Sequence, residues 1–367
     1  MVIEVWYLVL RDAMNIVRNT SNGIYRQPPG ERGYRMPAEW ERHKATWLTW
    51  PHDEAHWTHK FEKIPPIWAR MVKELSAGEE VHILVHDAGV EAVARYEMER
   101  TGVEWERVTL HRVPSNFSWA RDHGPIFVKN TKGQKLILHF RYNAWGGKWP
   151  HEKDEEIPAH VSRITGIEAL KVPMVLEGGS IDVNGKGSVL TTESCLLHPN
   201  RNPHLTKGQI EERLRQYLGV TNVLWLGEGI AGDDTNGHVD DLARFVAPDT
   251  VVTIIEVNAA DENYKALKEN LSRLERMTDQ DGNRLKIHAL PLPAPVTFQG
   301  HRLPASYANF YIGNGVILLP VFGDPNDVMA VEVLQEAFPR RKIVPIDARD
   351  LVWGLGMFHC VTQQEPV

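Results

Sequence analysis

The sequence predicts an α/β fold assembled from a repeated strand–strand–helix–strand unit. Three observations carry that expectation. Four times a polar motif runs into a short apolar strand, a turn and a second strand: WARDHGPIFVKNTKGQKLILHF (119–140), LEGGSIDVNGKGSVLTT (176–192), GHVDDLARFVAPDTVVTIIEV (237–257) and SYANFYIGNGVILLPVF (306–322). The turns hold Asn-Gly, Pro-Asp or Lys-Gly pairs, which are hairpin signals. Helical patterns lie between the hairpins, and a further strand-like run follows most of them.

Taken in order, residues 1–34 are expected to form an extension outside the fold. MVIEVWYLVL is apolar but lacks the basic start and small-residue cleavage site of a signal peptide. SNGIYRQPPGERG then reads as a linker. PPIWARMVKELSAG (65–78) repeats apolar residues every third or fourth position and ends on Gly, as a helix does. EVHILVHD (80–87) is a strand. After the second hairpin, TKGQIEERLRQYLG (206–219) is a helix with Thr206 as its N-cap, and TNVLWLGE (221–228) a strand. DENYKALKENLSRLERMT (261–278) and LKIHALPL (285–292) repeat that order after the third hairpin. PNDVMAVEVLQEAF (325–338) and RKIVPIDA (341–348) repeat it after the fourth. Residues 35–367 are thus expected to form one catalytic domain.

Composition narrows the function. The chain is 42% hydrophobic and 24% charged, with a formal net charge of -7. That balance argues against a nucleic-acid partner and suits a cationic ligand. Two cysteines make no disulfide framework, so free thiols in a reducing, cytoplasmic compartment are expected. No apolar run approaches the roughly 18 residues of a membrane span, so no membrane partner is expected.

The terminal GLGMFHCVTQQEPV places Cys360 beside His359 in a polar, glutamine-rich segment, unlike the usual apolar setting of a structural cysteine. Cys195, in TTESCLLHP, is closer to that setting. Each polar motif stands at the start of a first hairpin strand. Units packed about an axis would bring Asp122, Glu177, His238, Asp240 and Cys360 together. The alternative is a two-domain α/β protein with these motifs scattered. His238 and Asp240, two apart, share a face on a strand and suit acid–base work beside a cation-binding carboxylate, or a metal site. Clustered carboxylates repel one another unless the ligand is a cation. A guanidinium offers five donors in a fork that matches carboxylates. Held in line with a thiolate, its central carbon would be attacked by Cys360. Ammonia would leave with a proton from His238, and His238 would then activate water to release a ureido product. No metal is needed at any step.

These motifs resemble a known family. MPAEWERHKATWLTWP, WARDHGP, FRYNAWGG, LEGGSIDVNG, GHVDDLARF, PASYANFY and the terminal HCVTQQEP together resemble the agmatine deiminases, within the Porphyromonas-type peptidylarginine deiminases and the wider pentein superfamily of guanidino-group-modifying enzymes. The resemblance implies a five-bladed α/β propeller of ββαβ units around a central substrate channel. It implies Cys360 as nucleophile, His238 as acid–base group, Asp122 and Asp240 as guanidinium-binding aspartates, and Glu177 as support for substrate and histidine. Trp119 and Trp145 resemble the aromatic wall along the aliphatic part of agmatine, and Asn309 a further pocket residue. It implies no cofactor, a homo-oligomer, and N-carbamoylputrescine as a product feeding polyamine synthesis.

GLGMFHC departs from the family's glycine-rich run ending in Ile-His-Cys. Leu355, Met357 and Phe358 replace smaller residues at the back of the pocket. Arg141 and Lys148 flank the NAW motif and could meet a carboxylate, which keeps free or C-terminal peptidyl arginine open as substrates. Three other readings stand beside this one. His52, His56 and His59 in PHDEAHWTHK could serve a metal-dependent amidohydrolase. The same nucleophile could serve an amidinotransferase, or the pocket could bind without reacting.

Overall fold

A computed structural model of the chain describes residues 27–367. Residues 1–26, the greater part of the expected extension, lie outside the described residues. Of the rest, Gly30–Arg32 forms a 3-10 turn and Tyr34 is buried. A Cβ on Gly30 would meet the Arg215 carbonyl oxygen at 2.5 Å, so this turn lies tightly on the helix Lys207–Leu218.

One hydrogen-bonding pattern recurs in five sheets. Ile126–Lys129 runs antiparallel to Lys135–Arg141, which pairs in parallel with Ala169–Val175 across the helix Ile157–Thr165. Asp182–Val183, Ser188–Thr192 and Asn222–Leu226 repeat this around the helix Lys207–Leu218. Ala243–Ala247, Thr250–Ile255 and Lys286–Pro291 do so around Tyr264–Arg276. Tyr311–Ile312, Val316–Val321 and Lys342–Asp347 do so around Asn326–Ala337. These are the four units read from the hairpins; the last three have their predicted helix and parallel strand in place, and the first adds a helix and strand that were not among the sequence expectations.

The fifth sheet takes its antiparallel pair from opposite ends of the chain. Thr362–Pro366 runs against His43–Thr49, with Gln363 opposite Trp47. Glu80–Val85 and Val108–Arg112 follow in parallel. The terminal strand is polar in sequence yet buried, because its side chains find partners. Gln364 takes a hydrogen bond from Arg121 at 2.7 Å, and Glu365 takes one from Trp47 at 3.1 Å and one from Lys135 at 2.7 Å.

Local chemistry explains the elements. Thr206 closes a capping box with Gln209, and Gly219 ends that helix at φ 67°. The helix Ile64–Ser76 buries Ile64, Trp68, Met71, Val72 and Leu75, one stripe at helical spacing. Gly185, at φ 67° after Asn184, turns the second hairpin where a Cβ would meet the Ala38 nitrogen at 2.7 Å.

The largest apolar cluster includes Trp50, Trp57, Trp68, Phe245, Tyr307, Phe310 and Phe358. A second gathers Val128, Leu138, Val189, Leu214 and Trp225 beneath the first two of these sheets. Between them the polar motifs converge. Ala120–His123 packs on Gly178–Ser180 and on the terminal strand, and Gly178–Ser180 packs on Val239–Asp241. No helix among the described residues is long and apolar enough to cross a membrane.

Candidate active site

Cys360 lies at the inner end of a cleft of about 190 Å³ and is itself 6% exposed. Asn309 holds it. The Asn309 amide donates to Cys360 Sγ at 3.0 Å and to Asp241 Oδ1 at 2.9 Å. Its carbonyl oxygen accepts the backbone N–H of His359 at 3.0 Å and of Cys360 at 3.3 Å. Asn309, expected among the substrate-binding residues, thus spends its amide on Cys360 Sγ and, like Glu177, His238 and Asp240, lies behind the side chains that line the cleft. Asp240 Oδ2 lies 3.7 Å from Sγ. Burial, then the charges of Asp240, Asp241 and Asp122, push the thiol well above its ordinary range. Without a cation in the cleft Cys360 is a thiol.

The carboxylates come from three sheets. Asp122 follows Trp119 into the sheet that begins at Ile126 and lines the cleft. Its Oδ2 accepts from Trp145 Nε1 at 3.0 Å and its Oδ1 from the Gly179 N–H at 3.0 Å. Burial raises its carboxyl to about 6, against the opposing charge of His238. His238 Nδ1 is 3.7 Å from Asp122 Oδ1. Burial works to deprotonate His238, but Asp122, Cys195 and Asp240 outweigh it and raise the imidazole well above its ordinary value. Glu177 is fully buried, with Oε1 on Arg201 Nε at 2.7 Å. Glu177 Oε2 and Asp240 Oδ1 have no hydrogen-bond partner, so two buried acceptors stay free in this region. Gly179 permits the close assembly: a Cβ there would stand 2.6 Å from His238 Nδ1 and 2.8 Å from Asp122 Oδ1.

Several residues here carried no local signal in the sequence. Cys195 is fully buried, but its thiol, a Glu177 oxygen and a His238 ring nitrogen all lie within 4.8 Å of one another. It therefore packs on His238. Thr192, the cap of its short helix, donates to the Gly237 carbonyl at 2.5 Å, which fixes that helix to the His238 segment. Behind Cys360 lies a buried ionic network. Glu39 pairs with Arg121 Nη2 at 3.0 Å and Arg244 Nη2 at 2.9 Å, and Arg244 Nε donates to Asp182 at 2.5 Å.

Trp119, Trp145, Trp149, Trp353, His56 and Leu355 line the cleft toward its mouth, with Asp234. Trp145 adopts φ 55°, a left-handed conformation that costs a bulky residue energy, and this turn delivers its indole N–H to Asp122. Of the three departures in GLGMFHC, only Leu355 reaches the cleft; Met357 and Phe358 are fully buried in the core. Among the described residues, no Lys or Arg lines the cleft. Arg141 is exposed beside Glu155, and Lys148 Nζ donates to the Asp234 backbone carbonyl. The three histidines of PHDEAHWTHK do not converge. His52 stacks on His86 at 4.5 Å, His56 stacks on Phe117 at 4.4 Å, and His59 is exposed.

This geometry has known counterparts. A profile of the Porphyromonas-type peptidyl-arginine deiminases matches residues 35–366. The chain belongs to that family. It is 34% identical to the agmatine deiminase of Ectopseudomonas mendocina (strain ymp), over 92% of this chain and 97% of that protein. Among solved structures, the agmatine deiminase of Enterococcus faecalis superposes with a TM-score of 0.88 at 34% identity, covering 94% of this chain and 98% of that one. The agmatine deiminase of C. jejuni with substrate bound gives a TM-score of 0.83 at 31% identity, covering 90% and 96%. These likenesses span the whole Porphyromonas-type deiminase domain rather than a local motif.

Proposed function

We propose that this chain is an agmatine deiminase, which hydrolyses the guanidinium of agmatine to N-carbamoylputrescine and ammonia through a thiouronium adduct on Cys360. One observation carries the reading. The cleft ends on a thiol among buried carboxylates with free acceptor atoms, and no described Lys or Arg lines it. The names of the relatives support it.

A guanidinium entering the cleft offers its N–H donors to Asp122, Asp240 and Glu177. Its charge offsets the carboxylates that hold the Cys360 proton, and the thiol loses that proton to solvent. The thiolate attacks the guanidinium carbon to form a C–S bond. Protonated His238 gives its proton to one nitrogen, and the C–N bond breaks to release ammonia. Neutral His238 then takes a proton from water as the oxygen attacks the same carbon. The C–S bond breaks, the hydroxyl proton of the adduct passes to solvent, Cys360 returns as thiolate, and the ureido product leaves.

Trp119 and Trp145 flank the aliphatic chain of the substrate, and Asp234 faces its distal ammonium. Free arginine would bring a carboxylate into a cleft with no cation to meet it, at the cost of an unpaired charge. The same reading takes the five sheets as the blades of a closed pentein propeller, residues 35–367 as one catalytic unit, and the protein as a cytoplasmic homo-oligomer.

The test is a parallel assay of ureido product and ammonia from agmatine, free arginine and a C-terminal arginyl peptide, with Cys360→Ser as control. Turnover of agmatine over the other two is expected. Preference for arginine or the peptide would overturn the substrate assignment while keeping the thiol chemistry.

A further inference from the structure

His359, next to the nucleophile, has no part in the steps above, yet its ring is 2% exposed and bound at both nitrogens. Nδ1 lies 2.7 Å from Asp240 Oδ2, and Nε2 lies 2.8 Å from Glu39 Oε2. A neutral imidazole carries one N–H. Between two carboxylates it would turn a lone pair on one of them at hydrogen-bond distance.

Glu39 has no place for the extra proton. Its carboxylate already accepts from Arg121 Nη2 at 3.0 Å and the Ile312 N–H at 2.9 Å, and pairs with Arg244 Nη2 at 2.9 Å. Burial works against charge on Glu39 and Asp240. For Glu39 it is outweighed by Arg244, His359 and Arg121, and for Asp240 by His359, His238 and Arg244. Both carboxyls are thereby held below their ordinary range. Arg121 Nε and Thr362 Oγ1 also meet the His359 carbonyl oxygen, at 3.3 Å and 3.0 Å.

We propose that His359 is a positioning residue, locked as a doubly protonated imidazolium between Glu39 and Asp240, which ties Asp240 Oδ2 and leaves Oδ1 for the guanidinium. The role given to Asp240 rests on the agmatine reading; the charge state of His359 does not. Asp240 is then ionised before substrate arrives, and its orientation is set from behind by Glu39, a residue from the start of the described chain.

The experiment is a long-range proton–nitrogen NMR spectrum of the full chain with ring-labelled histidine, the His359 signals being assigned by their loss in His359→Gln. At about pH 7 both ring nitrogens are expected to carry protons. In Glu39→Gln, one nitrogen loses its anionic partner; one of the two N–H signals is expected to be lost at the same pH, and kcat/KM for agmatine to fall about tenfold. A neutral tautomer in the wild-type chain at about pH 7 would overturn the proposal, even if Glu39→Gln does not fold. An imidazolium in a chain that turns over no agmatine upholds the charge state and sinks only the substrate assignment.

Discussion

Asp240→Asn separates two jobs that one carboxylate performs. Asp240 binds the guanidinium in the proposed reaction, and it also holds the proton on Cys360 from 3.7 Å. The amide keeps the shape and removes the charge. Loss of one partner from a buried charge-assisted pair costs about 3–5 kcal/mol, so kcat/KM for agmatine should fall by roughly 10²–10⁴-fold. The thiol should respond in the opposite sense. At that separation and an effective dielectric of about 20, the carboxylate disfavours the thiolate by roughly 4 kcal/mol, an upper figure once solvent relaxation is included. The pH midpoint for alkylation of Cys360 by neutral iodoacetamide should therefore drop by roughly two pH units. The assay follows alkylation by mass spectrometry across pH, beside agmatine turnover, with the circular dichroism spectrum as a control for folding. Turnover that falls while the alkylation midpoint stays or rises would refute the electrostatic account of the nucleophile.

Three further outcomes follow from the same structure. Burial raises Asp154 to about 7, so the folded chain keeps a proton that the unfolded chain releases near pH 4. That stabilisation is complete below about pH 4 and is lost as pH rises through about 7, so Asp154→Asn should gain Tm relative to wild type between about pH 5 and about pH 8. A Tm difference independent of pH counts against it. Arg201→Met strands the fully buried Glu177 and should cost about 3–5 kcal/mol, read as a lower midpoint in denaturant, with much of the loss recovered in Arg201→Met/Glu177→Gln. Equal losses in the single and double variants would show that the pair is not what holds this region. Asp234→Asn should raise the KM for agmatine roughly tenfold with kcat nearly retained, because Asp234 lines the cleft and the proposed pose sets its carboxylate against the end of the substrate remote from the chemistry. A fall in kcat at constant KM would place Asp234 in the reaction itself.

Much of this molecule is legible where the signal is local. Asn184-Gly185 turns its hairpin and Thr206 caps its helix through contacts a few residues away, so four of the five sheet units can be read along the chain. The fifth is not legible because its antiparallel strands, His43–Thr49 and Thr362–Pro366, are joined only in the folded state. The candidate site divides the same way. Asp122, Glu177, His238 and Asp240 stand in repeated positions that announce them. Glu39 sits in PAEWERH, which carries the family resemblance but no periodicity or spacing that marks a buried carboxylate, and its partners Arg121, Arg244 and His359 come from three distant segments. Cys195 looks inert because its neighbours in sequence are apolar or small. Its contact with His238 depends on packing between two sheets. Asn309 was legible as a residue of the site but not in its role, since only the fold shows its amide turned toward Cys360 Sγ.

The central claim is a covalent bond between Cys360 and the substrate's guanidinium carbon. The most direct measurement is intact-mass spectrometry of the chain quenched in acid during turnover of saturating agmatine, followed by peptide mapping. The account predicts an adduct of agmatine less ammonia, confined to the peptide containing Cys360, and neither adduct nor turnover in Cys360→Ser. Agmatine turnover that survives in Cys360→Ser, with no adduct at any quench time in the wild type, would contradict it.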